Sequence, residues 1–152
     1  MNVVLVEPEI PPNTGNVARL CAATQTTLHL IEPLGFELSD RMLKRAGMDY
    51  WKQVDWKCWP HFQALREAFP ARNFYFIETG TAQVYSDISF QSDDVIVFGR
   101  ETKGLPLPLI EANRDRCYHI PMLNPESRSL NLANCVSIVL YEALRQQGFQ
   151  KI

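Results

Sequence analysis

No three glycines of this chain stand in the G-x-G-x-x-G spacing; the seven lie at 15, 35, 47, 80, 99, 104 and 148. That leaves the usual dinucleotide-binding turn, where glycines let a pyrophosphate approach the backbone, without support. "GRETKG" (99–104) has P-loop glycine spacing, but Leu105 follows where Lys and then Ser or Thr must reach phosphate and magnesium. No G-x-S-x-G elbow occurs, so a serine hydrolase of that type is equally unsupported. Cys21, Cys58, Cys117 and Cys135 form no C-x-x-C pair, and His29, His61 and His119 lie far apart. Metal ligation therefore has no sequence support, and the cysteines read as buried small apolar residues.

Long apolar runs are also missing. "VIVF" (95–98) and "VSIVLY" (136–141) are far too short to cross a bilayer. "MNVVLVEPE" carries no basic leader, so no signal peptide and no membrane association are expected, and the location is cytoplasmic. The net charge of −2 lacks the basic excess of a non-specific nucleic-acid coat. A local basic patch remains open: Arg41, Lys44 and Arg45 share "DRMLKRAG", and Arg114, Arg116 and Arg128 lie further on.

What is present is one domain's worth of chain, 152 residues, expected to fold as a single unit over 1–152. Short β-branched runs at 2–6, 27–31, 73–78, 94–99 and 117–121 read as buried strands. Helical patterns separate them: 13–24, with Val17, Leu20, Cys21 and Thr24 on one face; a helix from an N-cap at Ser39 to Gly47; and "PHFQALREAF", with Pro60 in the first turn. The alternation predicts an α/β fold with a mainly parallel sheet flanked by helices. The last helix, about 131–147, is apolar round most of its circumference and needs a second surface, which suggests a subunit interface.

Three polar loops each follow a predicted strand: 7–19, 98–106 and 120–134. In open parallel sheets ligands bind at the carboxyl ends of strands, so the three loops can converge on one site. Each also has a structural explanation. Asn13 or Thr14 can cap a helix, Gly99 and Gly104 can serve tight turns, and Ser129 or Asn131 can cap the last helix.

Taken in order, the loops resemble the three motifs of the SPOUT-class RNA 2′-O-methyltransferases: "PPNTGNVARLCA", "FGRETKGLP" and "IPM…SRSLNLANCVSIVLYEALRQ". "EPEIPPNTGN", "LHLIEPLGF" and "LKRAGMDY" look like the subgroup acting on the wobble nucleotide, cytidine or modified uridine, of the tRNA anticodon loop. The resemblance implies a SPOUT fold with a deep C-terminal trefoil knot, a homodimer, tRNA as partner, and S-adenosylmethionine as methyl donor with no metal. It also implies a catalytic set of Asn13, Arg19, Glu101, Ser129 and Asn131. The donor pocket would use Ile77, Gly99, Gly104, Ile120, Met122, Ser129 and Leu130. Arg41, Lys44 and Arg45 would meet RNA. The alternatives are a relative acting on another tRNA or rRNA position, and a knotted RNA-binding protein without turnover. One departure stands out: Arg100 occupies a position where members often carry Pro or another uncharged residue.

The implied chemistry suits these residues. The sulfonium methyl carries its own activation, so the ribose 2′-hydroxyl needs positioning and stabilisation of the charge it develops. Arg19, a guanidinium that is effectively always protonated, suits a phosphate clamp better than a base.

Overall fold

The computed structural model describes residues 1–39, 41, 44 and 49–150. The branched apolar runs form β1 (Asn2–Val6), β2 (Thr27–Ile31), β4 (Phe74–Ile77), β6 (Val95–Phe98) and β7 (Cys117–His119). Two further strands, β3 (Trp56–Trp59) and β5 (Gln83–Val84), lie outside the sequence expectation. Helices α1 (Pro11–Thr24), α2 (Phe62–Ala68), α3 (Leu107–Ala112) and α4 (Leu132–Gln146) connect or follow them.

All seven strands pair in parallel, in the order β3-β2-β1-β6-β4-β7-β5. Side chains alternate across such a sheet, so its central strands feed two cores. Val3, Leu5, Ile96 and Phe98 pack with Val17 and Cys21 of α1 and Val136, Val139 and Leu140 of α4. Val4, Val6, Phe76, Val95 and Val97 face the other way, onto Leu65 of α2 and Leu109 and Ile110 of α3. The parallel α/β architecture is therefore the one expected. Buried on both faces, β1 and β6 have no room for a polar side chain except at their ends.

Local chemistry moves several boundaries. α1 begins at Pro11, two residues before the expected start, because prolines are pre-set for a first helical turn. Pro60 precedes α2 instead of opening it. His61 is the N-cap, its Nδ1 accepting the Ala64 N–H at 3.1 Å. The helix expected over 39–47 falls mostly outside the described residues.

The crossing of the chain positions a site. From β1 it moves outward through β2 to β3, then crosses to build β4, β6 and β7 on the other side. Strand order reverses between β1 and β6, the place where open α/β sheets leave a crevice at the carboxyl ends.

β2 also carries a buried titratable group. His29 is buried, with Nδ1 accepting the Trp59 indole N–H at 3.0 Å and Nε2 lying 3.2 Å from the Asn2 amide oxygen. With Nδ1 an acceptor, Nε2 must donate, so the ring is neutral. Burial, with a smaller push from the Arg72 charge, lowers its pKa from 6.5 to about 4. The unfolded chain therefore takes up this proton first as pH falls. The stabilisation is full above about pH 6.5 and is lost on the way down to about 4, at a cost of roughly 3 kcal/mol at most. Urea denaturation of the wild type should weaken through this window more steeply than that of His29→Gln. Equal slopes would contradict the assignment.

Candidate active site

The loops after β1, β6, β4 and β7 belong to four neighbouring strands, and together they line one cavity of about 590 Å³. That size suits a ligand such as a nucleoside with a short side arm. Its apolar walls include Ile77, Phe98, Ile120, Met122, Leu130 and Leu132, and its polar lining includes Asn13, Glu101, Ser129 and Asn131. A second hollow of about 370 Å³ adjoins it, sharing Thr79, Ile120 and Met122.

The loop after β6 is the most constrained part. The Arg100 N–H donates to the Gly104 carbonyl at 3.2 Å, and the Gly104 N–H returns to the Arg100 carbonyl at 2.9 Å. Gly104 takes φ +67°, and any side chain on it would meet the Glu78 carboxylate. Gly99 lies directly against the backbone of Gly104 and Leu105. Both glycines are required by geometry here. Glu78, at the end of β4, accepts the N–H groups of Leu105 at 2.7 Å and of Thr79 at 2.9 Å. It thereby ties the β4 loop to the β6 loop.

The first helix has no side-chain cap of its own. Ile10 is the N-cap, and Asn13 and Thr14 are buried inside the first turn, so neither caps α1. The cap comes instead from Glu101, whose carboxylate accepts the N–H groups of Glu9 at 2.9 Å and Ile10 at 3.1 Å. A carboxylate at a helix N-terminus satisfies orphan donors and complements the dipole. The Glu9 carboxylate reciprocates, accepting the Thr102 hydroxyl at 2.7 Å, and that bond lowers its pKa.

A polar chain runs on from there. Asn13 Nδ2 lies 3.5 Å from Glu101 Oε1, and Asn131 Nδ2 donates to Asn13 Oδ1 at 3.0 Å. Asn131 Oδ1 accepts from Ala133 at 2.9 Å and Asn134 at 3.3 Å, so Asn131, not Ser129, caps α4. Three sequence-predicted residues thus form one network linking two helix starts to the β6 loop. Ser129 is exposed on the same cavity. Asn131→Ala should cost about 1–2 kcal/mol for the lost cap and free the Asn13 amide to rotate. A thermal midpoint equal to the wild type would contradict that role.

Arg19 stands apart. It is exposed, stacks its guanidinium 4.8 Å from the Tyr50 ring centroid, and does not line the cavity. Six residues along a helix turn it by about 120° from Asn13 and displace it by about 9 Å. Arg41 and Lys44 are exposed and also lie off the cavity, while Arg45 falls outside the described residues. Sequence reasoning missed Glu78 and Thr79. Their one signal was an acid closing the apolar run "FYFI". Cys21 and Cys117 are buried, and burial raises the Cys21 thiol to about 12. No cluster of three or more His, Cys, Asp or Glu that could hold a metal occurs among the described residues. No helix among them is long and apolar enough to cross a membrane.

Fold and cavity define a parallel α/β protein with a nucleoside-sized cleft at the topological switch of its sheet. The chain belongs to the SpoU rRNA methylase family, whose model matches residues 1–141. It is 51% identical to the tRNA (cytidine(34)-2′-O)-methyltransferase of Burkholderia cenocepacia, with 98% of this chain and 97% of that protein covered. A solved structure described as giving structural insights into the 2-OH methylation of C/U34 on tRNA superposes with a TM-score of 0.89. It is 43% identical and covers 98% of this chain and 97% of its own. The SpoU methyltransferase AviRb from Streptomyces viridochromogenes, in complex with AdoMet, shares the fold at a TM-score of 0.85 and 22% identity. That match covers 99% of this chain and 59% of the other.

Proposed function

We propose that this protein transfers a methyl group from S-adenosylmethionine to the ribose 2′-hydroxyl of the wobble nucleotide, cytidine or modified uridine, in the tRNA anticodon loop. The observation that carries the reading is the single cavity built by four adjacent strand ends, with the Asn131–Asn13–Glu101 network at its edge. The near-full-length likeness to a tRNA (cytidine(34)-2′-O)-methyltransferase supports the substrate.

The residues present fit the donor. Ile77, Ile120, Met122 and Leu130 offer apolar walls to an adenine, while the tight 99–104 turn brings backbone groups close enough to bind its edges. The donor, once bound, supplies an activated methyl. The ribose 2′-oxygen forms the new C–O bond as the C–S bond breaks, leaving the donor as the neutral thioether S-adenosylhomocysteine, and the hydroxyl proton passes to solvent water. Asn13 and Asn131 orient the ribose, and Ser129 contacts the ligand from the α4 side. Glu101, whose carboxylate is committed to the start of α1, holds Asn13 in place. Arg19, which lies off the cavity of its own chain, clamps a phosphate of the acceptor strand. Arg41, Lys44 and Arg45 position further phosphates.

The reading extends to assembly. A single domain over residues 1–152, knotted at its C-terminus, would act as a homodimer in the cytoplasm. Tyr141 and Ile138 on the outer side of α4 support the dimer, since their apolar surface is exposed and Phe149 stacks near Tyr141 at 6.4 Å between centroids. Calorimetric titration with S-adenosylmethionine tests the donor half directly: one site per chain is expected, and absence of binding would remove the reading.

A further inference from the structure

We propose that Arg100 is a phosphate clamp for the acceptor RNA, parked on Glu7 when no RNA is bound. The proposal rests on the methyl-transfer reading above and adds a residue to its acceptor side. Arg100 lines the cavity, and its side chain is 33% exposed. Its Nε is buried without a hydrogen-bond partner, and its guanidinium makes no side-chain hydrogen bond among the described residues. Its one ion pair among the described residues, Nη1 to Glu7 Oε2, is 3.8 Å long, beyond hydrogen-bond distance. Five N–H donors therefore stand largely unspent at the mouth of the site. Part-burying such a group is unfavourable until a strong acceptor arrives.

The mounting of the side chain suits this use. Its backbone is pinned on both sides by the reciprocal bonds to Gly104, so the guanidinium extends from a fixed root. Glu7 is equally fixed: it sits in a left-handed turn at φ 54° and donates its N–H to Ile31 at 3.0 Å. Lys103 and Arg128 line the same cavity, and neither has an ion pair within 4 Å among the described residues. The carboxylates of Glu78 and Glu101 on this cavity are already held by backbone N–H groups. Arg100, Lys103 and Arg128 set three cations against these two carboxylates on the lining, a small positive excess that fits a polyanion strand crossing the mouth.

The test combines Arg100→Gln with Glu7→Gln, using S-adenosylmethionine and deacylated bulk tRNA as probes. For Arg100→Gln, tRNA binding should weaken about tenfold while donor affinity stays within about twofold. The slope of log affinity against log salt should shrink by about 0.7–0.9, one phosphate contact. Glu7→Gln should shift tRNA binding the other way, tightening it about two- to fivefold, because the competing carboxylate is gone. Arg100→Lys should keep the salt slope and lose part of the affinity, since the charge stays and the fork is lost. An unchanged salt slope in Arg100→Gln overturns the proposal. So does a loss of donor affinity with tRNA binding intact, which would give Arg100 to the donor's carboxylate. If Glu7→Gln weakens tRNA binding as Arg100→Gln does, the pair is a structural strut and the proposal also falls. Wild-type methyl transfer to the same tRNA, run alongside, separates any of these results from failure of the underlying reading.

Discussion

Gly99→Ala abolishes measurable donor binding and lowers stability by about 2–4 kcal/mol. A Cβ on Gly99 would overlap the Gly104 carbonyl carbon and the Leu105 nitrogen, backbone atoms with no flexible end to give way. Nor can that backbone retreat. Arg100 and Gly104 exchange hydrogen bonds, and Leu105 is held by the Glu78 carboxylate. The methyl group must therefore open the 99–104 turn, and with it the cavity wall that turn builds. Gly80→Ala is the matched control. Gly80 has φ +73° but nothing within reach of a Cβ, so only the backbone strain is felt, about 1 kcal/mol, and donor binding persists. Calorimetric titration and urea denaturation of both variants decide the matter. A Gly99→Ala protein binding the donor like the wild type would remove the turn from the site.

Arg19→Lys loses about a hundredfold or more of methyl-transfer turnover while donor affinity remains at the wild-type value. The guanidinium is exposed, stacked on Tyr50 and clear of the donor cavity, so shortening its reach and removing its fork leaves the donor walls untouched. What it loses is a planar, bidentate grip on phosphate, which an ammonium offers only as a point charge. Single-turnover rates at saturating donor, beside a donor titration, separate these effects. Unchanged turnover would end the clamp assignment. A parallel loss of donor affinity would instead put Arg19 on the donor side.

How far these features were legible depends on how local their causes are. β1 and β2 match the expected ranges because their apolar runs are short, unbroken and buried. β3 was not legible: "WKCW" lies at the sheet edge with half-exposed side chains, and its lysine breaks the apolar run. β5, two residues long, offers no periodicity at all. The polar loops at 7–19, 98–106 and 120–134 could be placed because each follows a strong strand pattern. Their partners could not. Glu101 caps a helix about ninety residues earlier in the chain, and Asn131 reaches back 118 residues to Asn13. Asn13 and Thr14 carry good capping side chains, yet two prolines start the helix before them and leave both inside it. Glu78 was missed for the same reason, since its role depends on Leu105, 27 residues later. Arg100 was marked by the resemblance alone, and the unspent donors of its guanidinium are visible only in the fold.

The most direct measurement supplies purified protein, methyl-tritiated S-adenosylmethionine and tRNA lacking wobble methylation, then digests the product and maps the labelled nucleoside. The account predicts label in 2′-O-methylated cytidine or modified uridine at position 34. It also predicts that Gly99→Ala, which breaks the turn that walls the donor cavity, yields none. Label on a base or at another tRNA position, or no label at all, would contradict it.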